Sequence, residues 1–203
     1  MKVELHCHSS FSDGLLNPIA ILRHSEKIGL GAVAITDQDL KASLLLKNIK
    51  SKVIFIPAVE TKKENHVLCL GIDRMPHGDD VLEVIDSVHD MGGVAILAHP
   101  FSFLYKDYDM DYVKKFDAVE VINGLVHHSN NAKAMEMAKR FKVAGVSGSD
   151  AKIEKDIGKF ACNIPGENLE DILKNITKAK IPKKETNMVE ILGSRTKKIL
   201  KLG

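Results

Sequence analysis

The chain has 203 residues, a formal net charge of +2 and three cysteines. This length suits one domain over residues 1–203, and the near-neutral charge gives no indication of a polyanion partner. The odd cysteine count argues against a disulfide framework, and no apolar stretch is long enough to span a membrane, so we expect a cytoplasmic protein without a membrane partner. Residues 183–203 form a short basic segment with six Lys or Arg against two Glu. Such a segment is usually a solvated end.

Short runs rich in β-branched residues alternate with helical patterns along the chain. The runs predict strands at residues 2–6, 31–36, 52–60, 66–72, 93–99, 117–123 and 143–149. Helical spacing or capping residues predict helices within residues 17–29, 79–93, 129–142 and 168–178. The first helix has Asn17 as its cap and Gly29 as its stop, and the third has Ser129 or Asn130 as its cap.

The alternation of strands and helices predicts an α/β fold with a parallel sheet, either open or closed into a barrel. Residues 53–72 interrupt the rhythm, because two strands follow each other there without a helix between them. Polar residues stand at the strand ends all along the chain, as the mouth of a barrel requires. We therefore favour a short-looped barrel of about seven strands.

The first predicted strand ends in the sequence HCH, with His6 and His8 on either side of Cys7. Side chains at positions i and i+2 of a strand share a face, so the two imidazoles can converge while Cys7 points into the core. Taken alone, such a pair is as compatible with a solvated strand end as with a metal site.

Further polar residues stand at the other strand ends: Asp37, Asp39, Glu60, His66, His99, Glu120, Asn123 and Asp150. Singly, each has a structural alternative. His99 before Pro100 suits a turn, and Glu60 suits an ion pair with Lys62 or Lys63. Together, four imidazoles and two carboxylates at one end of a barrel are costly to bury unless a divalent cation supplies the counter-charge. Imidazole and carboxylate without thiolate favour Zn, Mn or Fe.

Six stretches of this sequence resemble, in order, the motifs of the polymerase and histidinol phosphatase (PHP) domain. They are LHCHSSFSDG, ITDQD, PAVE, HVLCLG, GGVAILAHP and GSDA, and the likeness extends from residue 3 to about residue 152. The sequence is most similar to the small stand-alone phosphoesterases of that family. The resemblance implies a distorted (β/α)7 barrel with a metal site at the C-terminal mouth of the strands.

The resemblance also implies a role for each motif residue. The first ion would be held by His6, His8, Glu60 and Asp150, and the second by Glu60 (bridging), His66 and His99. Asp13 would face a third site, but Gln38 and Lys152 stand where the family has two further histidines of that site. We therefore expect two divalent ions (Mn, Zn or Fe) and loss of the third. Lys152 would then neutralise Asp13 and bind a phosphate oxygen; alternatively, Lys152 points to solvent and Asp13 caps a turn.

The implied activity is metal-dependent hydrolysis of a phosphomonoester, a small nucleotide or a bisphosphate, with Asp13 and Lys152 as candidate catalytic side chains. Two ions ~3.5–4 Å apart would lower the pKa of a shared, metal-bridging water so that its hydroxide attacks phosphorus. Among basic residues expected near the mouth, Lys152 is the first candidate for binding a second phosphate, and Arg140 or Lys106 rank well behind it. The expected partner is a small phosphorylated substrate, with nucleic acid open but not favoured. A non-catalytic or RNA-associated barrel, like a ribonuclease P subunit, and an amidohydrolase remain as alternatives.

Overall fold

The computed structural model describes residues 1–62, 66–102, 108–188, 191–193 and 196. Eight strands within these residues form one sheet in the order β7-β6-β5-β4-β3-β2-β1-β8. They are β1 (Lys2–Glu4), β2 (Ala32–Ile35), β3 (Ile54–Lys62), β4 (His66–Leu70), β5 (Val94–Leu97), β6 (Ala118–Asn123), β7 (Ala144–Gly148) and β8 (Cys162–Asn163). All seven predicted strands are present. The two-residue β8, which pairs antiparallel with β1, was not predicted.

The sheet is mainly parallel, with β4 reversed in its middle. Strands β1, β2 and β3 are parallel to one another, as are β5, β6 and β7, whereas β4 is antiparallel to both β3 and β5. Strands that follow each other through a short connection pair as a hairpin, because a parallel connection needs a longer crossover. The prediction of two directly joined strands is therefore confirmed. The reversal also brings the first residue of β4, His66, to the same end as the last residues of β3.

The two ends of the seven-stranded part approach each other beyond the named strands. Cys7 forms an isolated parallel bridge with Ala151, and the His8 backbone N–H donates to the Ala151 carbonyl at 2.9 Å. The buried carboxylate of Glu4 accepts bonds from the backbone N–H groups of Ser149 (2.9 Å) and Gly158 (2.8 Å). The sheet is thus a nearly closed, distorted barrel, as expected, and the added contacts lie towards its C-terminal mouth.

The helices cover the outside of the barrel. They are α1 (Pro18–Lys27), α2 (Lys41–Leu46), α3 (Val81–Asp90), α4 (Met110–Val113), α5 (His128–Phe141) and α6 (Leu169–Lys174). Asn17 caps α1 as predicted, since its side chain accepts the Ala20 N–H at 2.8 Å. The predicted cap of α5 is wrong: His127 is the cap residue, with extended backbone and its Nδ1 facing the Ser129 N–H, so that Ser129 lies in the first turn.

The interior of the barrel is apolar below the mouth. One buried cluster contains residues from each of β1 to β7, which identifies it as the interior. Alternate residues of a strand share a face, so the inward row of β3 runs Ile56, Ala58, Glu60. In the same way His66 continues the row of Leu68 in β4. The apolar rows therefore end in polar side chains at one end of the barrel.

The basic C-terminal segment is described only in part. Thr186 is buried, and its hydroxyl donates to the Val126 carbonyl at 2.6 Å, so this stretch packs against the loop that follows β6. Its residues Arg195, Lys197, Lys198 and Lys201 lie outside the described residues, as do Lys63 and Lys106. In the part of the chain that the structure describes, no helix combines the length and the apolar character needed to cross a bilayer.

Candidate metal centre

Four donor side chains meet at the mouth in a first set. The Nε2 atoms of His6 and His8 lie 3.3 Å apart, and Asp150 Oδ1 lies 3.6 Å from the former and 3.3 Å from the latter. Glu60 completes the set, with Oε1 3.8 Å from His6 Nε2 and Oε2 3.5 Å from His8 Nε2. A tetrahedral ion with bonds of about 2.0–2.1 Å has its ligand atoms roughly 3.3–3.4 Å apart. These distances fit such an ion.

A second set is built around the other side of Glu60. Its Oε1 lies 2.8 Å from His66 Nδ1 and 3.0 Å from His99 Nε2. The donor atoms of these three residues all lie within 4.8 Å of one another, a spacing that could hold a metal ion. The two oxygens of Glu60 therefore face different histidines: Oε2 faces His8, and Oε1 faces His66 and His99.

Three of the four histidines are oriented by bonds on the ring nitrogen that faces away from the centre. His6 Nδ1 lies 2.9 Å from Glu120 Oε1, and His99 Nδ1 lies 3.1 Å from the Ser102 hydroxyl. His8 Nδ1 lies 3.4 Å from the Ser12 hydroxyl. Bonds of this kind fix the ring orientation and leave Nε2 directed at the other donor atoms of the cluster.

The ionisation of the donors also fits a cation. Burial opposes protonation of His6, but Glu120, Asp150 and Glu60 outweigh it and raise the pKa of His6 to about 10. Burial would raise the pKa of Glu60, yet hydrogen bonds from His66 and His99 hold it far below its usual range. The protein thus balances its buried carboxylates with protons on imidazole. A divalent cation would take the place of those protons, since histidine binds metals in its neutral form.

Two donors have a strained backbone. His99 (φ +28°) and Asp150 (φ +47°) adopt the left-handed region, and Lys142, in the cap of α5, is the third such non-glycine residue among those described. A residue other than glycine pays a free-energy cost, about 1–3 kcal/mol, for this conformation unless the surroundings impose it. Strain at two donors of one cluster indicates that the fold fixes their positions.

Lys152 lies between two carboxylates at the edge of the site. Its Nζ is 3.0 Å from Asp13 Oδ2 and 3.0 Å from Asp150 Oδ1. Burial alone would lower the pKa of Lys152, but Asp150 and Asp13 outweigh burial and raise it. The ammonium therefore contacts Asp13 and does not extend into solvent. Its role in catalysis stays a prediction.

The other third-site position lies at the surface. Gln38 is exposed, whereas Asp37 before it is fully buried. Asp37 accepts the Ser9 N–H at 2.8 Å and the hydroxyl of Ser12, so it organises the loop that carries Asp13. This structural role of Asp37 was not evident from its place in the motif.

Two expectations need correction or addition. Arg140 stands in the last turn of α5, which runs from the mouth back towards the start of β7, so Arg140 is not a mouth residue. Glu120 and Asn123 were named only as strand-end residues. In the structure, Glu120 contacts His6 and His99, and Asn123 contacts Asp150. The sequence feature that could have indicated a role for Glu120 is a carboxylate within a mainly apolar strand.

Comparison with known proteins supports the resemblance. Residues 128–181 match a family model described as PHP-associated. An uncharacterized protein of Methanocaldococcus jannaschii, MJ1587, is 30% identical over 142 residues, which cover 58% of this chain and 82% of that protein. A second, MJ0417, is 26% identical over 182 residues, or 84% of this chain and 73% of that one. This chain belongs to the PHP domain family.

Solved structures share the PHP-type fold at low sequence identity. A two-domain protein of Bacteroides vulgatus, described as containing a predicted PHP-like metal-dependent phosphoesterase, has a TM-score of 0.69 at 16% identity, covering 98% of this chain and 69% of that one. The lesion-specific endonuclease PfuEndoQ of Pyrococcus furiosus has a TM-score of 0.66 at 21% identity, covering 89% and 57%. An amidohydrolase of Chromobacterium violaceum has a TM-score of 0.63 at 16% identity, covering 83% and 93%. At these identities the likeness establishes the fold.

Proposed function

We propose that this PHP-family chain is a metal-dependent phosphoesterase acting on a phosphomonoester, a small nucleotide or a bisphosphate. The observation that carries the proposal is the convergence of six donor residues at one mouth, five of them grouped around the two oxygens of the sixth, Glu60. They are His6 and His8 after β1, Glu60 at the end of β3, His66 at the start of β4, His99 after β5 and Asp150 after β7. An arrangement in which one carboxylate joins two imidazole-rich sets is what a pair of divalent ions needs.

The chain contributes positioning and charge. When bound, two ions of Zn, Mn or Fe would polarise a phosphoryl oxygen and lower the pKa of water from 15.7 to about 7. Phosphoryl transfer depends mostly on positioning and electrostatic stabilisation, so it requires no side-chain nucleophile. Glu60 holds the two donor sets in register, and the strained backbones of His99 and Asp150 keep their side chains aimed inward. Lys152, whose Nζ lies 3.0 Å from Asp150 Oδ1, would supply a positive charge beside this centre to bind a phosphate oxygen.

A role for Lys152 in substrate binding can be tested with a single replacement. We expect Lys152→Ala to raise KM about 10- to 100-fold, because a hydrogen bond to a charged group contributes about 1.5–3 kcal/mol, while the metal content changes little. The exposed Lys155 in the same loop gives a matched control, Lys155→Ala. If both variants keep the kinetics of the unmodified protein, Lys152 serves only to neutralise Asp13.

The loss of the third metal can be tested by restoring its donors. We expect the double replacement Gln38→His with Lys152→His to recruit a third equivalent of metal, because Asp13 then faces two imidazoles instead of an amide and an ammonium. Metal content measured by elemental analysis, against Gln38→His alone, checks this. A double variant that still holds two equivalents would contradict it.

The alternatives predict different outcomes in one screen. A non-catalytic or RNA-associated barrel should carry substoichiometric metal, whereas the retained and buried donor set favours full occupancy. We would assay phosphomonoesters, nucleotides, bisphosphates, short oligonucleotides and an amide substrate with Mn, Zn and Mg in turn. Oligonucleotides belong in the screen because a structure with this fold is an endonuclease. Failure to hydrolyse any phosphoester at full metal occupancy would overturn the proposed function.

A further inference from the structure

A buried carboxylate outside the six donors touches both donor sets. Glu120 is 1% exposed and lies on the inward row of β6, two residues after Ala118. Its Oε1 lies 2.9 Å from His6 Nδ1, and its Oε2 accepts the backbone N–H of His99 at 3.0 Å. Oε2 also accepts the side-chain N–H of Asn123 at 3.0 Å. Glu120 therefore links a residue of the first set to a residue of the second.

The contact with His6 determines which ring nitrogen can bind a metal. A carboxylate only accepts hydrogen bonds, so in the neutral form that binds metal His6 keeps its proton on Nδ1 and presents the lone pair of Nε2. That Nε2 is the atom that faces His8 and Asp150. Glu120 itself lies on the Nδ1 side of the ring, away from the first donor set.

The contact with His99 supports a strained backbone. The left-handed conformation of His99 (φ +28°) is held by the bond from its N–H to Glu120. Asn123 extends the same support, since its side-chain nitrogen lies 3.0 Å from Glu120 Oε2 and 3.5 Å from Asp150 Oδ2. Asp150 is the second left-handed donor, so Glu120 and Asn123 together contact both strained positions.

Strand β7 leaves room for this arrangement at one residue. A Cβ atom on Gly148 would lie 2.5 Å from Glu120 Oε1 and 2.5 Å from the Cβ of His6. Carbon and oxygen atoms do not approach so closely, so the His6–Glu120 pair requires glycine here. The sequence at 148 thus accommodates a contact between residues that are 114 positions apart.

We propose that Glu120, assisted by Asn123, is a positioning residue that sets the tautomer of His6 and the backbone of His99, and so raises the metal affinity of both donor sets. This inference rests on the metal-binding part of the proposed function and is independent of which ester is hydrolysed. Outer partners of metal-binding histidines typically change affinity 10- to 100-fold. Glu120 acts on two donors at once, one in each set.

The variant Glu120→Gln tests the proposal, because an amide cannot serve both contacts. With its NH2 group towards His6, the ring must carry its proton on Nε2 and cannot bind metal there. With its NH2 group on the other side, it opposes the N–H groups of His99 and Asn123. The first orientation should weaken Zn²⁺ binding at the first donor set and the second orientation at the second donor set, in either case about 10- to 100-fold and without loss of stoichiometry, as measured by titration calorimetry on metal-stripped protein.

A matched control lies at the opposite end of β5 and β6. Asp117 Oδ2 accepts the Ala95 backbone N–H at 2.8 Å and lies 2.9 Å from His89 Nε2, the same pairing of one imidazole and one backbone donor. Asp117→Asn should leave Zn²⁺ affinity unchanged. NMR of ¹⁵N-labelled histidine supplies a second readout, since Glu120→Gln should alter the tautomer or hydrogen-bond signature of His6 and a purely structural role would not.

The outcomes separate the possibilities. Unchanged affinity in Glu120→Gln, or complete loss of one equivalent as expected of a direct ligand, would overturn the positioning role. If Glu120→Gln does not fold, Asn123→Ala decides, with an expected two- to tenfold weakening of the first set through the lost contact to Asp150. Absence of metal binding in the unmodified protein would instead overturn the proposed function itself.

Discussion

Replacement of His99 by alanine is expected to reduce phosphoester hydrolysis at least about 100-fold, because it removes a direct donor, and even outer partners of such donors cost 10- to 100-fold in affinity or activity. His99 Nε2 lies 3.0 Å from Glu60 Oε1, and its ring is 5.6 Å from that of His6. Steady-state assays with added Mn or Zn measure the effect. EDTA should abolish the activity of the unmodified protein, and added metal should restore it.

The control for this prediction is a histidine that also pairs with a carboxylate but lies elsewhere. His89→Ala removes the partner of Asp117 at the far end of the barrel and should keep its activity. Thermal unfolding followed by circular dichroism should show that His99→Ala keeps the barrel folded, because the replaced side chain lies at the mouth and the apolar interior below it is unchanged. Full activity in His99→Ala would remove the basis for assigning the site.

The second large effect concerns Glu60, whose carboxylate is itself a member of both donor sets. We expect Glu60→Gln to lose metal from both sets together, whereas His66→Ala loses chiefly one equivalent. The reason is geometric: Glu60 Oε2 faces His8, Oε1 faces His66, and an amide can present only one oxygen. Elemental analysis of the two purified variants side by side gives the comparison.

Glu26 provides the matched acidic control. Its exposed carboxylate accepts bonds from Ser51 and Lys52, far from the mouth, so Glu26→Gln should keep the full metal content. Equal losses of metal in Glu60→Gln and His66→Ala would mean that Glu60 does not bridge. In that case the two oxygens would serve a single ion, and the second set would lack its shared donor.

The main strands could be predicted from the sequence because each is encoded locally. The run at 117–123 contains three β-branched residues, Val119, Val121 and Ile122, and β6 occupies Ala118–Asn123. Strand β8 could not be predicted, since its two residues, Cys162 and Asn163, are defined only by pairing with β1. The prediction of the α5 cap was wrong for a local reason: the side chain of His127 accepts the backbone N–H of Ser129, so the helix begins before Ser129.

The candidate donors were also accessible from sequence, since their motifs place His, Glu and Asp at strand ends. The sequence did not indicate which atoms meet. That His8 turns Nε2 inward depends on Ser12 behind it, and that His6 does so depends on Glu120. Ser12 lies only four residues from His8, but Glu120 is recognised as a partner only once β1 and β6 are brought to the same mouth.

The sequence by itself therefore determined strands β1 to β7, the direct β3–β4 connection and the chemical types of the candidate donors, because these follow from local periodicity and from motif residues. Only the tertiary structure decided the pairing of Lys152 with Asp13, the contact of Glu120 with His6 and the need for Gly148 beside them. The first two contacts join residues that are 139 and 114 positions apart in the sequence, and the need for glycine at 148 follows from the second of them. Distances of that kind are set by closure of the barrel, which brings distant segments together through packing and burial that no local pattern encodes.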